Sequence, residues 1–463
     1  MFLQAAVNCL LLKKSEEFKT MEKVLNQNVK TRAYDKIDSY FQISERDSSL
    51  KREILGGFTT FLTISYVIFV NPTILALTGM DKGALVTVTC LATAIGSILG
   101  GVLGNVPIAL APGMGLNAFF TFTLVMGNGL SWQDSLGIVF LSGVFYLVLA
   151  FGGIREKIIS AIPKSLGIAS TVGIGLFLSL IGLKSMGVAI PNASTLVAFG
   201  KITTPVALSI LGLFLMFIFD LKKVRGGMLI SIAIVSLLGV IFGEVSLPSM
   251  ILSSPPSIAP VAMKLNIINV LRPSLLGAIF SFMFIDLFDS LSVLLSCYKE
   301  IPFRNEEERK KGLGRMLYAD VISTMIGSLL GTSTVTTYGE SVAGITAGAR
   351  TGLASIVTGL LFLLSLFVSP LVESVPVFAV APSLVIVGIF MFRKVSYLNF
   401  KDMKEAIPAF MTIILMPMTH SIAIGLSFGF ISYIIINVVC KEYDKISKTL
   451  WIIGILSFVN IIL

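Results

Sequence analysis

"GTSTVTTYGESVAGITAGARTGL", residues 331–353, is a polar, glycine-rich stretch set between two long apolar runs, and it carries one acid, Glu340. The flanking runs put it at the depth of a membrane. Thr332, Thr334, Val335, Thr336 and Thr337 come first, and Gly339, Gly344 and Gly348 follow. β-branched residues favour extended backbone, so the stretch is expected to start as a strand and only then turn helical. Irregular backbone at membrane depth is tolerated only where protein buries it or where it lines a cavity. A second stretch, "NVPIALAPGMGLNAFFTFT" (105–123), is interrupted in the same way by Pro107, Pro112, Gly113 and Gly115.

The whole chain agrees with that placement. It has 463 residues, 55% of them hydrophobic and only 13% charged, against about 25% charged in a soluble domain. Apolar runs near 18 residues recur, the mark of spanning helices. Candidate spans fall at 54–78, 84–104, 109–127, 135–151, 165–183, 203–220, 227–243, 273–297, 313–331, 333–348, 352–369, 376–392, 406–420 and 421–439. The tail 450–463 is too short to span and is expected at the interface or packed on the bundle.

The net charge of +9 could suggest nucleic acid, but its distribution points elsewhere. Of 35 Lys and Arg, 30 lie in residues 1–52, in the loops 152–164, 222–225, 298–315, 393–404 and 441–448, or at Arg350. Fourteen spans put all of these on one side. This is the positive-inside pattern, and it predicts both termini in the cytoplasm of a cell-membrane protein with no nucleic-acid partner. Cys9, Cys90, Cys297 and Cys440 have no metal spacing, and His420 is the lone histidine; no metal or cofactor is expected. Residues 1–40 specify little: "MFLQAAVNCLLL" lacks the pattern of a signal peptide, and Met21 is an alternative start.

The two interrupted stretches correspond in position. One is the third span of the chain and the other the third counted from 273. Just before each lies a near repeat, "IGSILG" (95–100) and "IGSLLG" (326–331). The pattern predicts seven spans followed by seven more, the second set inverted in the membrane. Paired interrupted spans in two halves point to a transporter's binding site.

No Lys or Arg falls in the middle of a span, but acids do: Asp286 and Asp289 in "FSFMFIDLFDSLS" (280–292), Asp320, and Glu340. A carboxylate at the bilayer centre costs about 2.5–3.5 kcal/mol on insertion scales and usually marks a substrate or ion path. Asp286 and Asp289 share one helix face with Phe282, and at least one acid is expected to exchange a proton near neutral pH. Blander readings remain open: Asp320 pairing with Arg315 or capping a neighbour, Asp289 as a structural hydrogen-bonding residue, the Phe-rich face as packing, and Gly96, Gly100 and Gly104 as a close helix contact. Protease, hydrolase and nucleotide-binding motifs are missing from the sequence. A secondary transporter is expected rather than an enzyme, with a channel as the alternative of a different class.

"GGFTTFLTISYVIFVNPTIL" (56–75), "APGMGLNAFFTF" (111–122), "FIDLFDSLSVL" (284–294), the opening stretch and "EAIPAFMTIILMPMTHSIAIGLSFGFISY" (405–433) resemble the AzgA-like purine permeases of the nucleobase–cation symporter 2 family. The resemblance runs from about residue 40 to 440. It implies an all-α polytopic fold of fourteen spans in two inverted repeats. A cytoplasmic arm (1–52) would precede a core domain (53–152 and 270–370), a gate domain (153–250 and 371–440) and a tail (441–463). It implies proton-coupled import of hypoxanthine, guanine or adenine, and permits a homodimer through the gate. By position it points to Asn117, Asp286 and Glu340 as substrate residues, with Asp289 the accompanying acid and Asp286, Asp289 and Glu340 the proton-coupling candidates. Where members often read Tyr-Ser-Ile-Ala, this chain has "HSIA" (420–423).

The residues suit a purine independently. A carboxylate accepts ring or exocyclic N–H groups, and the Asn amide both donates and accepts. Backbone N–H groups of the broken segments, with Thr337 beside them, can meet acceptors. Phe282 or Phe119 could stack on the ring. Rival readings are a same-fold anion transporter, disfavoured by the acids, and a uracil or xanthine permease.

Overall fold

The computed structural model describes residues 35–151, 163–192, 194–246, 248, 250–272 and 275–462. The arm through residue 34, with Cys9 and Met21, and the basic loop at 152–162 lie outside the described residues. The chain is a helical, multi-pass membrane protein. Nine helices among the described residues are long and apolar enough to cross a membrane, and three shorter apolar helices accompany them.

A helix or a broken segment stands at each of the fourteen apolar runs. The first run divides into α1 (Leu50–Ile64), capped by Ser49, and α2 (Val67–Leu75). Then come α3 (Lys82–Gly104), β1 (Leu110–Pro112), α4 (Met114–Ala118) continuing as a π-helical segment through Gly127, and α5 (Trp132–Phe151). Next are α6 (Lys164–Ser185), the hairpin β2 (Ala189–Asn192) and β3 (Leu196–Phe199), α7 (Thr204–Leu221) and α8 (Gly227–Ile241). The second half holds α9 (Leu276–Glu300), α10 (Glu306–Leu330), β4 (Val335–Thr337) and α11 (Val342–Thr346). It ends with α12 (Gly352–Ser365), α13 (Ser369–Ser374), α14 (Val377–Phe392), α15 (Met403–Thr419), α16 (Ile422–Val439) and α17 (Lys448–Ile462).

Two details depart from the sequence reading, and the tail takes one of its two expected places. The β2–β3 hairpin lies where only a loop was expected; Asn192 turns the chain there by accepting the N–H groups of Ser194 and Thr195. Helix α10 starts seven residues early, because Asn305 accepts the Glu308 N–H and Glu306–Glu308 fill the first turn, where acids suit the helix dipole. The tail forms α17 and packs on α16, burying Leu450 and Ile453.

Helices α1, α3, α5, α9, α10 and α12 pack mainly on one another, and α6, α7, α8, α14, α15 and α16 do likewise. Within the first set, against α3, α9 and α10, the two interrupted stretches meet. β1 and β4 pair antiparallel, with Leu110 opposite Thr337 and Pro112 opposite Val335. A two-stranded ladder leaves an outer edge on each strand, and in an apolar interior those groups must find partners. Ser97 meets one edge, accepting from Leu110 N–H at 3.1 Å and donating to Leu110 C=O at 3.0 Å. Thr324 does the same for Val335, at 3.2 and 3.0 Å. Room for the ladder comes from glycine: a Cβ on Gly96 would come within 2.9 Å of the Val335 side chain, and one on Gly327 within 2.7 Å.

Candidate functional site

The strand pair ends beside a cavity of about 600 Å³. Its inner wall is Gly113–Gly115 at the start of α4 and Thr336–Glu340 at the end of β4. Helix α9 contributes Asp289, Ser292, Val293 and Ser296, and the facing wall comes from α14 and the turn after it. Gly113 begins α4 without a side-chain cap, so the first-turn N–H groups beside the cavity are not satisfied by a capping side chain. Asp220, Ser296, Arg393 and Lys394 mark the end of the cavity nearest the basic loops.

Glu340 sits on a 3₁₀ turn, Gly339–Ser341, between β4 and α11. Tyr66 donates its hydroxyl to Glu340 Oε1 at 3.0 Å. That tyrosine was invisible as a site residue, since it lies in an ordinary apolar run; the structure places it at the break between α1 and α2. Tyr338 donates to the Pro112 carbonyl at 2.5 Å and so ties the second stretch to the first. Thr337 lines the cavity and directs its hydroxyl to the Ser290 carbonyl at 3.3 Å.

Glu340, Thr337 and Asp289 are therefore brought to one cavity. Asn117, Asp286, Phe119 and Phe282 are buried close by but do not form its wall. Asn117 is engaged in a polar network: its Nδ2 donates to Asn71 Oδ1 at 2.5 Å, and Ser333 donates to its Oδ1. Asn71 in turn donates to Thr89 at 2.6 Å, which links α2, α3, α4 and the strand segment. Phe119 and Phe282 pack on each other, with ring centroids 5.1 Å apart. Asp286 faces Asp320 and Asp289 in the interior behind β4.

Asp320 does not stay near a helix end with Arg315. It is fully buried and lies against Ser290 and the Thr337 backbone. Neither of its carboxyl oxygens reaches regular hydrogen-bond geometry, nor does Asp286 Oδ1. Among the described residues no cluster of His, Cys, Asp and Glu is arranged to hold a metal ion.

A sequence profile described as the Permease family matches residues 51–431. The chain belongs to the Permease family. Among the relatives of this permease is the guanine/hypoxanthine permease PbuG of Bacillus subtilis, 42% identical over 437 residues, covering 91% of this chain and 99% of PbuG. The adenine permease AdeP of Escherichia coli is 40% identical over 427 residues, covering 92% and 96%. The permease also shares its fold with the transmembrane domain of the cyanobacterial bicarbonate transporter BicA. That match has a TM-score of 0.61 and 15% identity, over 82% of this chain and 97% of that one. The permease is a transporter and not an enzyme.

Proposed function

We propose that this permease imports the purine nucleobases hypoxanthine, guanine and adenine by proton symport. The observation that carries the reading is Glu340, a carboxylate on a broken segment, held by Tyr66 at the wall of a cavity with ample room for a purine. Relatives at 40–42% identity are named for adenine and for guanine and hypoxanthine, which supports the same substrate class. In this reading Glu340 accepts N–H groups of the base. Thr337 and the N–H groups at the start of α4 meet its acceptors. Asn117 holds the broken segment in shape, while Phe119 and Phe282 form the packed layer behind the site.

Asp286, with Asp289 and Glu340, carries the coupling proton. The two helix sets act as core (53–152 and 270–370) and gate (153–250 and 371–440), and the core moves elevator-like against the gate. Fourteen spans put the basic loops and both termini in the cytoplasm of the cell membrane, so the cavity described here opens inward. A homodimer would form through the gate side, where α7 leaves Leu211, Phe214, Ile218 and Leu221 exposed; crosslinking in membranes tests it.

The fold is also that of a bicarbonate transporter. An anion site calls for a basic residue at the broken segments, whereas here an acid occupies that place. Proteoliposome uptake of labelled hypoxanthine, guanine and adenine, with and without an inward proton gradient, tests the proposal. Competition by uracil or xanthine but not by hypoxanthine, guanine or adenine would overturn the substrate class. Uptake indifferent to the gradient would remove the symport.

A further inference from the structure

We propose that Lys394 is a positioning residue of the transport cycle, a latch that holds the cavity open on the side of the basic loops. The inference rests on the reading of two helix sets that move against each other. Lys394 follows α14 on the turn Arg393–Tyr397, which packs against α6 in the gate set. Its ammonium reaches across the cavity and donates to Ser292 Oγ on α9, in the core set, at 2.6 Å. Ser292 donates to the Asp289 backbone carbonyl at 3.2 Å, one helical turn away. All three residues line the same cavity.

A contact of this kind cannot survive relative motion of its two ends. Lysine reaches its partner through a flexible four-carbon stem, yet a point charge holds only where acceptors converge. Here they converge from one face of α9: a hydroxyl that is itself tied to the helix backbone and, within the same cavity, a carboxylate. Carrying α9 past α14 would part Lys394 from Ser292. The latch therefore stabilises the arrangement seen here against the opposite one. The remaining charged groups on the cavity wall are Glu340, Asp220 and Arg393. Arg393 adjoins Lys394 in sequence, but the hydrogen bond to α9 is made by Lys394.

The test measures conformation directly and needs no substrate. Val293 lies on α9 at the cavity wall, next to the latch. Val293→Cys in a background lacking the native cysteines reports access to the cavity. A membrane-impermeant maleimide is applied to right-side-out vesicles, where only the oppositely open state is labelled. Losing a charge-assisted hydrogen bond that exists in one state alone raises the minor state by roughly tenfold. Lys394→Met is therefore expected to speed outside labelling about tenfold. Ser292→Ala should give a smaller rise, and Lys394→Arg should restore slow labelling. Outside labelling of Lys394→Met and Ser292→Ala at the parental rate, in protein that folds, would overturn the latch. Purine uptake by the parent protein is measured in parallel. Its absence would remove the substrate reading while the labelling result still decides the latch.

Discussion

Replacing Glu340 by Gln keeps the shape of the side chain and removes its charge, which makes it the sharpest perturbation of the proposed site. Tyr66 uses one lone-pair direction of Oε1. The remaining acceptor capacity of the carboxylate is open to a base in the cavity. A hydrogen bond to a charged group contributes about 1.5–3 kcal/mol and a neutral one about 0.5–1.5 kcal/mol. The amide oxygen of Gln retains the neutral bond, so the expected loss is roughly 1–2 kcal/mol, or about 5- to 30-fold in Kd. Titration calorimetry with hypoxanthine on the purified permease reads this directly. Glu340→Ala should weaken binding further. It also leaves the Tyr66 hydroxyl buried without its acceptor, at a stability cost of about 1–3 kcal/mol visible as a lower Tm. The Gln variant should leave Tm nearly unchanged, because its amide oxygen still accepts from Tyr66. Hypoxanthine binding by Glu340→Gln within twofold of the parent would refute the assignment of Glu340 as the group that grips the base.

Other perturbations test the frame around the site. Ser97→Ala strips partners from both the N–H and the C=O of Leu110; a loss of about 1–3 kcal/mol per group predicts a clear fall in Tm and in purine uptake. Gly352→Ala would drive a methyl group into the Gly101 carbonyl where α3 and α12 cross, backbone against backbone; overpacking of roughly 1–3 kcal/mol should appear as lower Tm and yield. Arg46 donates to the carbonyls of Asn105 and Arg350 and pairs with Glu308 at 2.8 Å. Arg46→Met should destabilise the permease by about 3 kcal/mol in thermal unfolding, with Arg46→Lys recovering only part of it.

Signals that are local in the chain were legible in the sequence. The apolar runs located the helices because burial in lipid demands unbroken hydrophobic length. The two broken stretches were legible because Pro, Gly and β-branched residues resist helix wherever they stand. What distance along the chain conceals was not legible. Tyr66 lies 274 residues from Glu340, and a tyrosine in an apolar run has no local mark of its partner. Lys394 read as one more loop cation, and only the fold turns it into the cavity. Asp320 was misjudged through a helix boundary. Because α10 begins at Glu306, Asp320 stands about four turns inside the helix and not at its end.

The near repeat "IGSILG" and "IGSLLG" has a physical explanation in the ladder. Gly96 and Gly327 hold the same place in the two copies, and both face the side chain of Val335 on β4. One strand thus lies between the two equivalent helices, and each helix must be bare at its point of closest approach. The hydroxyl needed at each free strand edge is then supplied from the same two helices, by Ser97 on α3 and Thr324 on α10. Those two residues are not at equivalent positions in the repeat: Ser97 directly follows Gly96, whereas Thr324 precedes Gly327 by three residues. The near repeat fixes where the helices come close, and each copy then satisfies its own strand. Glu340 follows directly on β4 and has no acidic counterpart in Gly113–Gly115, which follow β1. The repeat therefore builds the cradle, and the departure from it places a carboxylate on the cavity wall.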